Sequence, residues 1–379
     1  MNETFIPFNY PARTENEQAY IARALESHHL SGDGEFTRKC HALLQELVGV
    51  PKALLTTSCT HALEMSALLL GIREGDEVIV PSFTFVSTVN AFVLRGAKPV
   101  FADIHPDTLN LDERQLEGLI TERTRAIYVV HYAGVGCEMD EIMRIADKYN
   151  IPVVEDNAHG LFGRYKARNL GTFGTFATQS FHETKNISCG EGGALLLNDE
   201  RYFERAEILR EKGTNRSRFF RGQVDKYTWV DQGSSYLPSE LLAAVLLSQL
   251  ESWQLIQHKR SSIWQQYDRE LRGWAAEIGA RQPCVPAHCE QPAHMYYLLM
   301  PSLEVRTRFI QHLKAHNIMA VFHYLPLHLS DMGVNFGGKP GDCPVTEDVS
   351  DRLVRLPLYY NMLPEETERV IEAALEFKP

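Results

Sequence analysis

The chain has 379 residues, more than the roughly 250–300 at which one hydrophobic core stops growing, so a large and a small domain are expected. With 44% apolar and 23% charged residues, its composition is that of a soluble globular protein. The 38 basic and 49 acidic residues give a net charge of −11, which argues against nucleic acid or an anionic membrane as partner. An anionic small substrate would therefore need a local basic patch.

No stretch of the sequence approaches the roughly 18 apolar residues of a membrane span, and the N-terminus lacks the basic-then-apolar pattern of a secretory signal. The seven cysteines are odd in number and scattered, which indicates reduced thiols and a cytoplasmic location. Cys284, His288 and Cys289 lie close together in sequence, but no second ligand pair follows at zinc spacing, so no metal site is expected.

The first candidate binding segment lies near residue 60. Helices are predicted over Glu17–Ser27 and up to about Leu47, and a short strand follows within residues 53–60. That strand ends in the small residues 58–60, ahead of a helix predicted over His61–Leu70. Hydroxyl groups at this position serve as N-caps, but a helix N-terminus also offers free N–H groups to a phosphate. The residues alone support both interpretations equally.

From residue 75 onward, predicted strands and helices alternate. In chain order they are Glu77–Val80, Thr84–Leu94, Pro99–Ile104, Asp112–Ile120, Ala126–His131, Glu138–Tyr149 and Pro152–Asp156. This alternation predicts parallel βαβ units in a doubly wound sheet, with ligands at the carboxyl ends of the strands. Ser58, Phe85, His131 and Asp156 fall near such ends. A phosphate loop is lacking and Gly171–Gly174 is not a dinucleotide fingerprint, so ATP and NAD have no support beyond the fold class.

Lys185 lies in a polar turn between two predicted buried strands, residues 174–181 and 194–197. Most lysines are solvated surface groups, so this position alone is weak evidence for chemistry. The upstream strand Val153–Asp156, however, ends on an acid. A strand-end acid and a lysine in a later turn are the pair that pyridoxal phosphate (PLP) chemistry needs, because the lysine forms a Schiff base and the acid keeps the ring nitrogen protonated.

Residues 211–226 carry five basic groups against two acidic ones. A solvated loop would explain such a run of charges. The run also combines arginines with two adjacent aromatic residues, a mixture suited to carboxylate or phosphate oxygens and a flat ring. We favour this second interpretation.

The C-terminal part is predicted to begin with a long helical stretch, Ser239–Leu271, broken near Ser252, and a linker over 279–293. Beyond the linker, strands, helices and a Gly/Pro-rich loop are predicted at Met295–Met300, Glu304–His316, Ile318–His323, 333–344 and Glu365–Phe377. We therefore expect a large cofactor-binding domain over residues 1–250 and a small domain over 251–379.

The sequence resembles the DegT/DnrJ/EryC sugar aminotransferases over nearly its whole length. The segments that carry this resemblance are Gly75–Val78, Pro81–Phe85, Glu155–His159, Ser180–Asn186, Gly190–Gly193 and Leu325–His328. The resemblance implies the α/β type I fold of PLP-dependent aspartate aminotransferase, with a large, mostly parallel sheet domain and a smaller C-terminal α+β domain. It also implies at least a homodimer with shared active sites.

Within this family, four further segments resemble members that use L-glutamate to aminate a dTDP-4-oxo-6-deoxy sugar. They are His131–Gly134, Glu211–Trp229, Gly233–Tyr236 and Ala320–Tyr324. Amination at C3, or at C4 with the opposite stereochemistry, stays an open alternative. A PLP-dependent sugar dehydratase would carry histidine at the lysine position, and a nucleotide-sugar-binding regulator would not need the complete set Asp156, His159 and Lys185.

The resemblance also implies roles for single residues. Lys185 would hold PLP and shuttle a proton, Asp156 would pair with the pyridinium nitrogen, His159 would lie near the phenolic oxygen of the ring, and Phe85 would stack on its face. Ser58, Cys59 and Thr60 take the positions of an Asn-Gly-Thr phosphate cradle, to which Ser180 would add a hydroxyl. The candidate substrate contacts are Asn215, Arg216, Arg218, Arg221, Lys226, His323 and His328.

Two positions depart from the family pattern. Cys59 stands where glycine is usual, so the phosphate cradle would rely on backbone N–H groups beside a side chain. Ser235 stands where the neighbouring subunit usually supplies an asparagine to the phosphate. Ser235 is therefore a candidate contact to the cofactor of a second subunit.

Overall fold

The computed structural model describes residues 4–379, and its strands and helices are numbered in chain order. The strands are β1 Lys52–Thr56, β2 Glu77–Pro81, β3 Lys98–Ala102, β4 Thr124–Val130, β5 Val153–Asp156, β6 Arg164–Tyr165, β7 Arg168–Asn169, β8 Phe176–Ser180, β9 Gly193–Leu197, β10 Cys289–Glu290, β11 Tyr296–Leu299 and β12 Leu353–Leu356. The helices are α1 Glu17–Glu26, α2 Glu35–Val48, α3 Cys59–Leu69, α4 Val86–Val93, α5 Leu116–Leu119, α6 Met139–Tyr149, α7 Phe203–Arg210, α8 Arg216–Phe220, α9 Glu240–Glu251, α10 Trp253–Glu270, α11 Arg272–Ile278, α12 Leu303–Ala315, α13 Asp331–Asn335, α14 Pro344–Arg352 and α15 Pro364–Glu376.

A seven-stranded sheet with the order β1-β9-β8-β5-β4-β2-β3 forms the centre of the molecule. Strands β3, β2, β4, β5 and β8 pair in parallel, and β9 runs antiparallel to its neighbours β8 and β1. The middle strands are buried along almost their whole length, as expected where helices cover both faces of a parallel sheet. The predicted α/β fold with a large, mostly parallel sheet is therefore confirmed.

The topology gathers the candidate site residues at one edge of this sheet. Asp156 ends β5, and its neighbour β8 leads into the connection that carries Lys185 to β9. Strand β1, on the other side of β9, leads into the N-terminus of α3. Gly193 makes the approach of β9 to this helix possible, because a Cβ at residue 193 would lie 2.4 Å from the backbone of Ser58 and Cys59.

Glu155 fixes the loop that precedes β8. This fully buried carboxylate accepts hydrogen bonds from the backbone N–H groups of Gly171, Phe173 and Gly174, at 2.7–2.8 Å. It also accepts one from His131 Nε2 at 2.9 Å. His131, which follows a strand end as predicted, thus pairs with Glu155 inside the protein.

Four predicted elements differ from the structure. Helix α3 begins at Cys59, two residues before the predicted start, because the Ser58 hydroxyl caps it by accepting from His61 N–H. The single helix predicted over Asp112–Ile120 is a short 3₁₀ turn followed by α5, and it ends where Ile120 becomes extended. The remaining two differences lie in the C-terminal part.

Residues 318–323 do not form the predicted strand, because the segment changes partner within a few residues. Ile318 forms an isolated bridge with Ile6, and Val321 forms one with Arg355. The predicted loop over 333–344 contains the end of α13 and the first residue of α14. By contrast, the predicted break at Ser252 is confirmed, since this residue separates α9 from α10.

The C-terminal part builds a second core around the antiparallel pair β11–β12. Helices α10, α11, α12 and α15 pack on it, and Ile6 from the N-terminal segment is buried in the same cluster. The domain boundary at residues 250 and 251 stays a prediction. Across residues 4–379, all seven cysteines are free thiols, and the helices include none with the length and apolarity to cross a bilayer.

Candidate active site

A cavity of about 660 Å³ opens at the carboxyl edge of the parallel strands. The sheet and the N-terminus of α3 line one side of the cavity. The segments around residues 294–295, 321–325 and 355–358 line the other. Of the predicted cofactor residues, the cavity wall includes Ser58, Cys59, Thr60, Phe85, Asp156, His159, Ser180 and Lys185. Residues distant in sequence thus meet at one site.

Lys185 presents its amine to this cavity from the connection between β8 and β9. Burial lowers the pKa of Lys185 to about 8, and the charge of Arg355 acts in the same direction, whereas Asp156 opposes the shift. An ordinary lysine titrates near 10.4, so Lys185 holds a far larger fraction of free amine at neutral pH. A free amine is the form that attacks a carbonyl carbon.

Asp156 is buried at the end of β5 and accepts two hydrogen bonds. Thr88 Oγ1 donates to Oδ2 at 2.7 Å, and the N–H of Ala158 donates to Oδ1 at 3.2 Å. Burial raises the pKa of Asp156, while these two hydrogen bonds and the charge of Lys185 hold it down. A protonated ring nitrogen beside this carboxylate would supply the cation that offsets its burial.

His159 is buried three residues after Asp156 and has an unused polar atom. Its Nδ1 has no hydrogen-bond partner among residues 4–379, and its Nε2 lies 3.5 Å from the hydroxyl of Tyr324. Burial lowers the pKa of His159 well below its usual range, helped by the charges of Lys185 and Arg355. A neutral imidazole with a free nitrogen fits an oxygen atom of a bound ring.

The N-terminus of α3 fits a phosphate group. The first N–H groups of a helix lack intrahelical acceptors, and here they belong to Cys59 and Thr60. The Cys59 thiol lies 3.5 Å from Thr178 Oγ1, and burial raises its pKa, so it brings no negative charge to the site. Ser180 adds a hydroxyl from the end of β8.

Phe85 supplies an aromatic face. It precedes α4, lines the cavity and is 56% exposed, with its ring centroid 6.2 Å from that of Tyr324. An anion site at a helix N-terminus, an aromatic face, a buried carboxylate and an amine of lowered pKa are together the groups that PLP requires. The residues of this cavity fit that cofactor.

Among the predicted substrate residues, the structure brings only His323 to the cavity. His323 is buried, and its Nδ1 lies 2.9 Å from the hydroxyl of Tyr132. His328 is fully buried outside the cavity, with its ring nitrogens bonded to Ser82 and Glu347.

The basic segment, residues 211–226, lies outside the cavity of its own chain. Its three arginines pair with glutamates of α7 or its end: Arg216 with Glu211 at 3.0 Å, Arg218 with Glu204 at 3.2 Å and Arg221 with Glu207 at 2.8 Å. Asn215 accepts from the N–H of Thr228, and Lys226 is exposed. Ser235 is exposed as well and forms a bridge with Glu211.

Arg355 is a cavity residue that sequence reasoning missed. It lies in β12, donates from Nη2 to the Phe322 carbonyl at 3.0 Å, and stacks its guanidinium 4.7 Å from the ring centre of Phe8. Its Nε is buried without a partner, and it forms no ion pair with a carboxylate of residues 4–379. Burial lowers the pKa of Arg355. The available signal was a single arginine within the apolar stretch 353–358.

Comparison with known proteins identifies the family. Residues 11–375 match the model of the DegT/DnrJ/EryC1/StrS aminotransferase family. The chain is 36% identical to the uncharacterised protein MJ1066 of Methanocaldococcus jannaschii, covering 98% of this chain and 97% of that protein. It is 33% identical to the spore coat polysaccharide biosynthesis protein SpsC of Bacillus subtilis, covering 97% and 96%.

Among solved structures, the PLP form of the putative sugar aminotransferase Spr1654 from Streptococcus pneumoniae is similar, with a TM-score of 0.90. The two share 27% identity and cover 99% of this chain and 98% of that one. The family match spans nearly the whole chain, and the cavity fits the cofactor that these enzymes use. The chain therefore belongs to the DegT/DnrJ/EryC1/StrS aminotransferase family and is a PLP-dependent sugar aminotransferase.

Proposed function

We propose that the protein transfers the amino group of L-glutamate to C4 of dTDP-4-oxo-6-deoxy-D-glucose, giving dTDP-4-amino-4,6-dideoxy-D-galactose and 2-oxoglutarate. This is the transaminase reaction of enterobacterial common antigen synthesis. The observation that most supports amino transfer is the meeting in one cavity of Lys185, Asp156 and Arg355, which has no acidic partner in residues 4–379. The choice of sugar rests on the four sequence segments that resemble enzymes acting on this substrate.

When bound, PLP supplies an aldehyde carbon and an electron-poor ring that makes the adjacent C–H bond of the amino donor acidic. The Lys185 amine moves the proton between the donor carbon and C4′ of the cofactor. Asp156 holds the proton on the ring nitrogen, and Thr88 keeps Asp156 ionised by donating to Oδ2. His159, whose pKa burial lowers well below its usual range, would contact the phenolic oxygen of the ring.

Arg355 provides the cation for a carboxylate of the donor. A guanidinium offers parallel N–H groups that match the two oxygens of a carboxylate. Because Arg355 has no acidic partner in residues 4–379 and its Nε is buried and unused, a carboxylate of an amino acid donor would complete its hydrogen bonding. This feature supports an amino acid as the donor, and the choice of L-glutamate rests on the sequence resemblance.

We further propose that the active protein is a homodimer in which Ser235 and the basic segment face the cavity of the second subunit. These residues lie outside the cavity of their own chain. The same segment exposes Phe220 at 70%, and Trp229, three residues beyond the segment, is 78% exposed. Exposed aromatic side chains beside arginines are typical of protein interfaces.

The test is to incubate the PLP-loaded enzyme with L-glutamate and a panel of dTDP-oxo-6-deoxy sugars that carry the ketone at C3 or C4. Mass spectrometry detects the amino sugar and 2-oxoglutarate, and NMR assigns the position and stereochemistry of the new amine. We expect the galacto-configured C4 amine. An amine at C3, or a gluco-configured amine at C4, would show that the enzyme catalyses a related transamination and not the proposed one. Loss of water without gain of an amine would indicate a dehydratase.

Lys185→Ala is the control for this experiment, because it removes the amine and leaves the rest of the cavity. A protein that binds the nucleotide sugar without turnover, and that shows no visible absorbance from a bound cofactor, would contradict the proposal and indicate a regulator. Analytical ultracentrifugation with and without PLP tests the homodimer separately.

A further inference from the structure

The ring of His294 lies against the ring of His159 at the cavity wall. Their centroids are 4.4 Å apart and their planes differ by 21°, so the two imidazoles are stacked. Both side chains are buried. His294 lies just before β11, so the contact joins the C-terminal part of the chain to the residue three positions after Asp156.

Asn186 fixes the tautomer of His294. The Asn186 amide nitrogen lies 2.7 Å from the Pro292 carbonyl oxygen and 3.3 Å from Gln257 Oε1. Because both of these partners are acceptors, Oδ1 of Asn186 must face His294 Nδ1, which lies 3.0 Å away. An amide oxygen only accepts hydrogen bonds, so Nδ1 of His294 carries the proton.

The surroundings keep both stacked rings uncharged. The groups that face His294 are His159, Lys185, Arg260 and Arg355, and none of them is acidic. Burial and these neighbours lower the pKa of His294, and two stacked imidazoles avoid carrying like charges. Arg260 holds the backbone in place by donating to the carbonyl oxygens of Ala293 at 3.1 Å and of His294 at 2.7 Å.

We propose that His294 is a positioning residue for the amino transfer: donating from Nδ1 to Asn186 and stacking on His159, it fixes the plane of His159 relative to Lys185. Asn186 follows Lys185 directly in the chain, so the His294–Asn186 pair links the reactive amine to the imidazole that faces the cofactor. The inference rests on the proposed function for its kinetic consequences. The tautomer of His294 and its stacking on His159 follow from the geometry and do not depend on the proposed function.

Two substitutions separate the two contacts. His294→Phe keeps a stacked ring without the donor, and His294→Asn keeps a donor near the Nδ1 position without the ring. We expect each to lower kcat about tenfold and to change KM for either substrate less than twofold. The control is His312→Phe, because His312 also has a histidine neighbour at 4.5 Å, His316, but lies in α12 outside the cavity.

Asn186→Asp tests the charge. A carboxylate at this position would raise the pKa of His294 and put a cation against His159. The loss of kcat should then be largest at low pH and should recover as the pH rises and His294 loses its proton. A pH-independent loss in Asn186→Asp, or equal losses in His294→Phe and His312→Phe, would overturn the positioning role.

The readout that needs no turnover is the ¹⁵N spectrum of the holoenzyme labelled at histidine, with the His294→Asn protein used for assignment. We expect His294 in the neutral Nδ1–H form at pH 7. An Nε2–H form or an imidazolium would overturn the proposal. If the enzyme aminates no nucleotide sugar, the proposed function fails. The role of the His294–Asn186 pair is still tested in that case, by the ¹⁵N spectrum and by the visible absorbance of bound cofactor in the variants.

Discussion

Thr88 donates a hydrogen bond to Asp156, with Oγ1 2.7 Å from Oδ2, and Thr84 Oγ1 lies 2.9 Å from the same threonine hydroxyl. Burial raises the pKa of Asp156, and the hydrogen bond from the Thr88 hydroxyl lowers it. A carboxylate that must stay ionised next to the cofactor ring therefore depends on a neutral residue from α4. That dependence can be tested.

Thr88→Val removes the donor and keeps the shape of the side chain. We expect kcat to fall about tenfold, in line with the roughly 1–1.5 kcal/mol that one such hydrogen bond contributes. Since the pKa of Asp156 rises further in the variant, activity should disappear at a higher pH than in the unmodified enzyme as the solution is acidified. Thr88→Ser, which keeps the hydroxyl, should restore both the rate and the acidic limb of the pH profile. Equal pH profiles for the two variants would contradict this role.

The rate at which the apoprotein captures PLP reports on Lys185. Because burial lowers the pKa of Lys185 to about 8, the fraction of free amine, and with it the capture rate, should rise with pH, reach half of its maximum near pH 8 and level off above that. The measurement is the growth of visible absorbance after mixing, with borohydride reduction and mass spectrometry to locate the modified residue. Lys185→Ala should show no such phase and no reduced adduct. A rate that keeps rising beyond pH 10 would mean that the amine is solvated like an ordinary lysine.

Arg355→Gln tests the donor site. The variant loses a charge-assisted contact worth roughly 1.5–3 kcal/mol, so KM for L-glutamate should rise about 10- to 100-fold, while KM for the nucleotide sugar changes little. The donor half of the reaction can be followed alone through the absorbance of the bound cofactor. Arg352→Gln is the matched control, since Arg352 lies in α14 outside the cavity and pairs with Asp348. A selective loss of sugar binding in Arg355→Gln would assign the guanidinium to the other substrate.

The sequence predicted the sheet and one half of the cavity well, because both follow from local patterns. Apolar stretches that end on Asp156 or lead to Lys185 define strand ends, and parallel strands bring their carboxyl ends to one edge. Arg355 and His294 escaped detection because they reach the cavity only through the packing of the C-terminal part on the sheet.

The basic segment shows that a local charge pattern can suggest a binding site while its charges are already paired within the protein. Its arginines stand out in an acidic chain, but Glu204 and Glu207, about two turns and one turn before residue 211, already pair with Arg218 and Arg221. Linear charge counts over residues 211–226 could not include those partners. Their assignment to substrate therefore stays a prediction that depends on a second subunit.

Gly193→Ala tests how closely β9 must approach the phosphate cradle. The new Cβ would lie 2.4 Å from backbone atoms of Ser58 and Cys59, which cannot move aside as a side chain would. We expect a loss of about 1–3 kcal/mol in the free energy of unfolding and a weaker affinity for PLP, because the N-terminus of α3 must shift. Gly118→Ala is the matched control: nothing lies within 4 Å of its Cβ, and its position in α5 tolerates alanine. Thermal unfolding with and without PLP separates the loss of stability from the loss of PLP affinity. If the phosphate cradle kept its geometry in Gly193→Ala, PLP would stabilise both variants equally, which would contradict the prediction.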